Sequence, residues 1–114
     1  MTFAELVAAH CQPRKGEPAL AAGRIAELSR AVPGWQVAAD GKSIAKTFRF
    51  KNFYETLGFV NAIGWVANRQ DHHPDLEVGY NRCVVHWSTH DVGGLSLNDF
   101  ICAAKAEAIA TEGA

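Results

Sequence analysis

Two segments constrain the fold most, because each alternates between two faces with the period of a strand. In residues 43–51, SIAKTFRFK, the side chains of Ile44, Phe48 and Phe50 fall on one face, and Thr47, Arg49 and Lys51 on the other. Lys46 interrupts the apolar face but can lay its aliphatic stem across it. In residues 82–89, RCVVHWST, Cys83, Val85, Trp87 and Thr89 share one face, while Val84, His86 and Ser88, followed by His90, share the other. Two half-covered strands of this kind need strand partners and an apolar layer to pack on.

The neighbouring sequence supplies both. Trp35–Ala39 reads as a strand joined to the first segment through an Asp40-Gly41 hairpin turn. Leu76–Tyr80 reads as the partner of the second. A first helix is expected from Pro18 through Leu20, Ile25, Leu28 and Val32, stopping at Pro33-Gly34. Asn52 is placed to cap a second helix, with Glu55 returning a bond in a capping box. That helix carries two apolar stripes: Phe53, Leu57, Val60 and Ala67, and Phe59, Ile63 and Val66. A helix apolar on two sides suits a subunit interface in so small a protein. Ser96 caps a third helix, with Asp99 in its first turn and Leu97, Phe100, Ile101, Ala104 and Ala108 as its stripe. The order predicts an α+β fold: antiparallel strand pairs, with helices on one face.

Residues 1–16, broken by Pro13 and Gly16, read as an N-terminal extension with a short turn and a loop, ahead of one domain over residues 17–114. A net charge of −1 excludes bulk attraction to nucleic acid or an anionic membrane, and no apolar run is long enough to span one. Three widely spaced cysteines, Cys11, Cys83 and Cys102, do not make a disulfide framework. With no basic, apolar leader at the start, a cytoplasmic protein is expected.

The chemistry concentrates in Asp71, His72, His73, His86 and His90, between the second and third helices. Imidazoles titrate near neutrality, so their grouping suggests proton transfer or metal binding. His86 and His90, four apart, would share a zinc ion on a helix. On a strand they stand about 13 Å apart, too far for bonds of about 2.1 Å to one ion. A metal held by His72, His73 and His90 stays open on spacing alone. Ser88 has no nucleophile elbow around it, and Cys83 reads as a core residue. Acid–base chemistry fits best. His73 precedes Pro74 and is therefore biased to extended backbone, so His72 and His73 point different ways and have different tasks.

The run Asp71-His72-His73-Pro74-Asp75, then Tyr80-Asn81, Ser88-Thr89-His90, Gly93-Gly94-Leu95-Ser96 and Asp99, resembles the pterin-4a-carbinolamine dehydratases. The likeness extends to Pro33-Gly34-Trp35 and Phe48-Arg49-Phe50, and so covers about residues 11 to 110. It implies a four-stranded antiparallel sheet with three helices on one face, assembled into dimers or tetramers. It implies a 4a-hydroxytetrahydropterin substrate, made by an aromatic amino acid hydroxylase, that loses water to give the quinonoid dihydropterin. His72 and His90 would be the acid–base residues. His73, also counted among the catalytic residues, would hold and orient the pterin and assist the departing hydroxyl. Pro74, Ser88, Thr89 and Asp91 would line the pocket, and Asp71 would orient His72 or bind the ring's polar edge. The resemblance requires no metal and no cofactor, since the pterin is the substrate.

One position departs from the pattern. Asn68 stands four residues before His72, where the family usually carries a carboxylate; an amide accepts a hydrogen bond but balances no charge. Elsewhere the simpler readings are preferred. Asp99 is expected to cap its helix. Trp35, Trp65 and Trp87 are expected in a core or interface, His86 as an exposed or supporting residue, and His10 at the surface. Two other functions compete with the dehydratase: a protein-binding module resembling a transcriptional cofactor, and a pterin-binding protein without turnover.

Overall fold

The computed structural model describes residues 1–113. Ala114, the last residue of the domain expected from the sequence, lies outside the described residues. The elements in chain order are α1 (Phe3–Ala8), α2 (Ala22–Ser29), β1 (Gln36–Val37), β2 (Ile44–Arg49), α3 (Phe53–Gln70), β3 (Asp75–Val78), β4 (Arg82–Trp87) and α4 (Leu97–Gly113). A single 3-10 turn, His90–Val92, precedes α4. The four strands form one antiparallel sheet in the order β1-β2-β4-β3. The α+β architecture expected from the two alternating segments is therefore present.

The alternation sets the faces. β2 pairs with β4 over six residues, with Ile44 opposite Trp87 and Phe48 opposite Cys83. These side chains and Val85 are buried against the helices, while Thr47 and Arg49 are exposed. Trp87, Ile44, Val85, Ile63, Phe100 and Ile101 form the centre of one core. Fully burying a side chain of this kind stabilises the fold by about 1.5–3 kcal/mol.

Several boundaries differ from the sequence expectation. The opening segment contains a true helix, α1, whose Thr2 and Glu5 form a capping box. Its Leu6 is buried in the common core, and Lys105 Nζ on α4 donates to Val7 O at 2.6 Å. Residues 18–21 are not helical. The Leu20 N–H donates across the fold to Leu95 O at 2.9 Å, which holds this stretch extended and delays α2 to Ala22. β1 shrinks to two residues, because beyond them Ala38 turns into the corner at Gly41, whose φ of 70° suits glycine. β4 ends at Trp87, so Ser88, Thr89 and His90 leave the strand and His90 is not on its open face.

On α3 the expected cap is present: Asn52 Oδ1 accepts from Glu55 N at 2.9 Å. Glu55 does not complete the box. Its Oε1 accepts from Lys51 N instead, at 3.1 Å. Of the two apolar stripes, the Phe59 and Ile63 side faces the core and takes Ala67 with it. Phe53 and Leu57 stay exposed, alongside Tyr54 and Trp65, the last being 66% exposed.

Candidate active site

The α3–β3 connection begins with a forced corner. Asp71 has φ 50° and ψ 44°, the left-handed conformation that ends helices. The His72 N–H then reaches back to Ala67 O at 3.2 Å, closing the helix. Aspartate tolerates this backbone better than most residues. The corner turns the chain inward, so that His72 is only 8% exposed while Asp71 and His73 on either side are exposed.

His72 is held from two directions. Its ring lies against the buried Trp87 indole, with centroids 5.6 Å apart and planes 11° from parallel. Its Nε2 lies 2.6 Å from Oδ1 of Asp99 in the first turn of α4. Asp99 is fully buried. Its other oxygen, Oδ2, accepts from the Ser96 N–H at 2.9 Å and from the Thr89 hydroxyl at 2.7 Å. Asp99 thus acts as the expected helix cap and, in addition, as the partner of a histidine.

The hydroxyls around it have a fixed direction. The one Thr89 proton goes to Asp99 Oδ2, so the Ser96 hydroxyl donates to Thr89 Oγ1 at 2.6 Å, and Ser96 Oγ accepts from the Asn98 N–H. Two donors, the Ser96 N–H and the Thr89 hydroxyl, thus end on the same Asp99 oxygen. A carboxylate at Nε2 fixes a histidine's Nε2–H tautomer and leaves Nδ1 as the basic nitrogen. Among the described residues no hydrogen bond engages Nδ1 of His72.

The same carboxylate joins two loops. It binds His72 on the α3–β3 connection and Thr89 on the β4–α4 connection, where Thr89 N and Gly94 O are also bonded at 2.8 Å. His73 and His90 therefore lie one residue away from the two groups that Asp99 ties together. Both are exposed, as are Ser88 and Asp91, and Pro74 is half-buried. Thr89 is buried, with its hydroxyl committed to Asp99 and Ser96. Asn68 is exposed in the last turn of α3.

The remaining aromatic and histidine expectations resolve individually. Trp87 and Trp35 are core residues, and Trp35 Nε1 donates to Glu107 at 3.2 Å. Trp65 is exposed and has Arg69 over its ring. His86 sits on the open face of the sheet with Nε2 2.5 Å from Glu77. His10 is exposed. A cavity of about 550 Å³ lies between β2, α3 and the end of α4, lined by Phe48, Phe50, Phe59 and Ile109. It contains no histidine and none of the expected site residues. Proton transfer is better served by the buried His72–Asp99 pair than by this apolar hollow.

Sequence alone did not point to Asp99 as a partner of His72. Its helix-capping signal was visible, but the two residues are 27 apart and meet only when α4 packs across the end of β4.

Comparison with known proteins agrees with the motif. The family model described as pterin 4 alpha carbinolamine dehydratase matches residues 18–109. A protein of Xanthomonas campestris pv. campestris (strain B100), provisionally named a pterin-4-alpha-carbinolamine dehydratase, is 59% identical over 106 residues, covering 92% of this chain and 90% of its own. A similarly named protein of Stenotrophomonas maltophilia (strain K279a) is 56% identical over 105 residues, covering 91% and 90%. A crystal structure of a transcriptional coactivator/pterin dehydratase from Brucella melitensis superposes with a TM-score of 0.78 at 35% identity, over 81% of this chain and 98% of that one. A pterin dehydratase-like RuBisCO assembly factor of the alpha-carboxysome shares the fold at 18% identity and a TM-score of 0.60, over 68% and 89%.

Proposed function

Because the chain belongs to the pterin-4a-carbinolamine dehydratase family, we propose that it removes water from a 4a-hydroxytetrahydropterin, giving the quinonoid dihydropterin by histidine acid–base catalysis. The observation that carries this reading is the buried His72–Asp99 pair, with Nδ1 of His72 left unengaged.

Elimination needs a proton to leave a ring nitrogen while the 4a-hydroxyl gains one. The nitrogen's electron pair then forms the new C=N bond, the C–O bond breaks, and water departs. In this proposal His72 is the base, accepting the ring proton at Nδ1. Asp99 stabilises the resulting imidazolium through Nε2. His90 is the acid that protonates the departing hydroxyl. His73 holds and orients the pterin. Asp71, Pro74, Ser88 and Asp91 supply the pocket wall from the two loops. Thr89 serves the substrate site through its hydrogen bonds to Asp99 and Ser96. The substrate is supplied by an aromatic amino acid hydroxylase and the product returns to a reductase. The setting is the cytoplasm; among the described residues no helix is long and apolar enough to cross a membrane.

The exposed stripe on α3, with Tyr54 87% and Trp65 66% exposed, supports self-association into a dimer or tetramer. A protein-binding role would use the same stripe.

The direct test follows decay of the 4a-carbinolamine with wild type, His72→Ala and His90→Ala. Each variant is expected to lose about 10²-fold or more, the lower range for a positioned acid–base group. A wild-type rate equal to buffer would remove the enzymatic reading, and equal rates in the variants would remove these residues from it.

A further inference from the structure

We propose that Cys11 and Cys102 form a reversible disulfide, making this pair a redox-modification site beside the His72–Asp99 pair. Their sulfurs are 3.6 Å apart although 91 residues separate them in the chain. A disulfide needs about 2 Å, so the two are in contact and short of a bond by one small movement. Cys102 is buried on α4, one turn beyond Asp99. Cys11 is half-buried on the extended strap between α1 and α2, so it is the thiol an oxidant reaches first.

The strap is held in register for this reaction. The Cys11 N–H donates to Gln70 Oε1 at 2.8 Å. The Gln12 N–H and Arg14 Nε both donate to Asn98 Oδ1, and Asn98 Nδ2 donates back to Gln12 O. These bonds tie the strap backbone on both sides of the sulfur to α3 and α4. Hydrogen bonding from the Cys102 thiol lowers the pKa of Cys11, against the opposing effect of burial, and the charge that neighbouring His72 can carry adds to the lowering. The same contact and burial push Cys102 up. Cys11, the more exposed of the two, is the attacking sulfur and the buried Cys102 the resolving one.

The chemistry balances with a hydroperoxide as oxidant. The Cys11 sulfur attacks the peroxide, the O–O bond breaks, and the thiol proton leaves with the alcohol, giving a sulfenic acid. Cys102 attacks that sulfur, the S–OH bond breaks, and water leaves carrying the Cys102 proton. Two thiols lose two electrons and the peroxide gains them. A dithiol reverses the step by exchange. The product staples the N-terminal strap to α4 and closes a very long loop, so the oxidised protein should melt roughly 10 °C higher than the reduced one.

The test treats the full chain with one equivalent of hydrogen peroxide, alkylates the remaining thiols and maps the peptides by mass, before and after dithiothreitol. The expected result is a loss of two of three alkylatable thiols, a Cys11–Cys102 link, a free Cys83, and a Tm gain that dithiothreitol abolishes. In Cys102→Ser, Cys11 should instead trap dimedone as a sulfenic acid, and neither Cys102→Ser nor Cys11→Ser should gain Tm. Three alkylatable thiols after the peroxide is consumed would overturn the proposal, as would a link through Cys83, a link between two chains, or a Tm gain that survives in Cys11→Ser.

Discussion

Oδ1 of Asp99 and Nε2 of His72 are 2.6 Å apart, joining the first turn of one helix to the loop that leaves another. Removing the carboxylate by Asp99→Ala strands three donors: the His72 ring, the Ser96 N–H and the Thr89 hydroxyl. A loss of about 3–5 kcal/mol is expected, the range for breaking a buried charged partnership. Asp99→Asn keeps one acceptor and should cost less, about 1–3 kcal/mol. Urea denaturation of both variants measures this, and a midpoint for Asp99→Ala equal to wild type would refute it.

Asp71 occupies the one left-handed non-glycine position among the described residues. Asp71→Val puts a branched side chain into that conformation and should destabilise the protein by about 1–2 kcal/mol. Asp71→Asn should be close to neutral, because asparagine accepts the same backbone. If valine and asparagine melt together, the corner is not holding the loop as described.

The two fully buried thiols set an alkaline limit. Burial raises Cys83 above its ordinary 9.0, and Cys102 is raised by its bond to Cys11 and by burial. In both, the folded chain keeps the proton that the unfolded chain loses. For Cys83, which has no coupled partner, the sign follows: its contribution is intact below about pH 9 and declines above it. Cys83→Ala should remove one thiol's share of that slope between pH 9 and 10.5. Parallel stability curves for variant and wild type across this window would contradict the assignment.

The outer stripe of α3 gives the fourth expectation. Trp65→Glu places a charge where the indole is already mostly exposed, so the fold of the monomer should change by less than about 0.5 kcal/mol. If this face joins subunits, sedimentation should move from dimer or tetramer toward monomer. A wild type that sediments as a monomer at high concentration removes the interface outright.

The parts of the fold legible in sequence are those set by short-range pattern. Alternation in β2 and β4 assigned inner and outer faces residue by residue, because a strand's side-chain period leaves no other solution once one face is covered. The Asn52 cap was legible for the same local reason. The Thr2-x-x-Glu5 box is equally local, and α1 forms on it although Pro13 and Gly16 mark the same segment as a loop. Helix α2 is shorter than its apolar spacing implies, because the partner of the Leu20 N–H is a carbonyl 75 residues away at Leu95. The candidate site divides along the same line. The His-His-Pro run and His90 announce themselves by type and spacing. The Asp99 bond to His72 and the Cys11 contact with Cys102 arise only from how α4 settles against the loops and the strap, and no local pattern encodes them.

Asp99 has a further consequence for when this chain can begin to work. Its Oδ2 completes the start of α4 while its Oδ1 prepares His72, so both jobs are done in the same event. A chain emerging from synthesis carries the whole histidine motif before the α4 sequence has been made. Until that helix winds and docks, the imidazole has no counter-charge and no fixed tautomer. Under the proposed acid–base mechanism, immature or partly melted copies should therefore be chemically silent, and turnover should begin together with the final packing step.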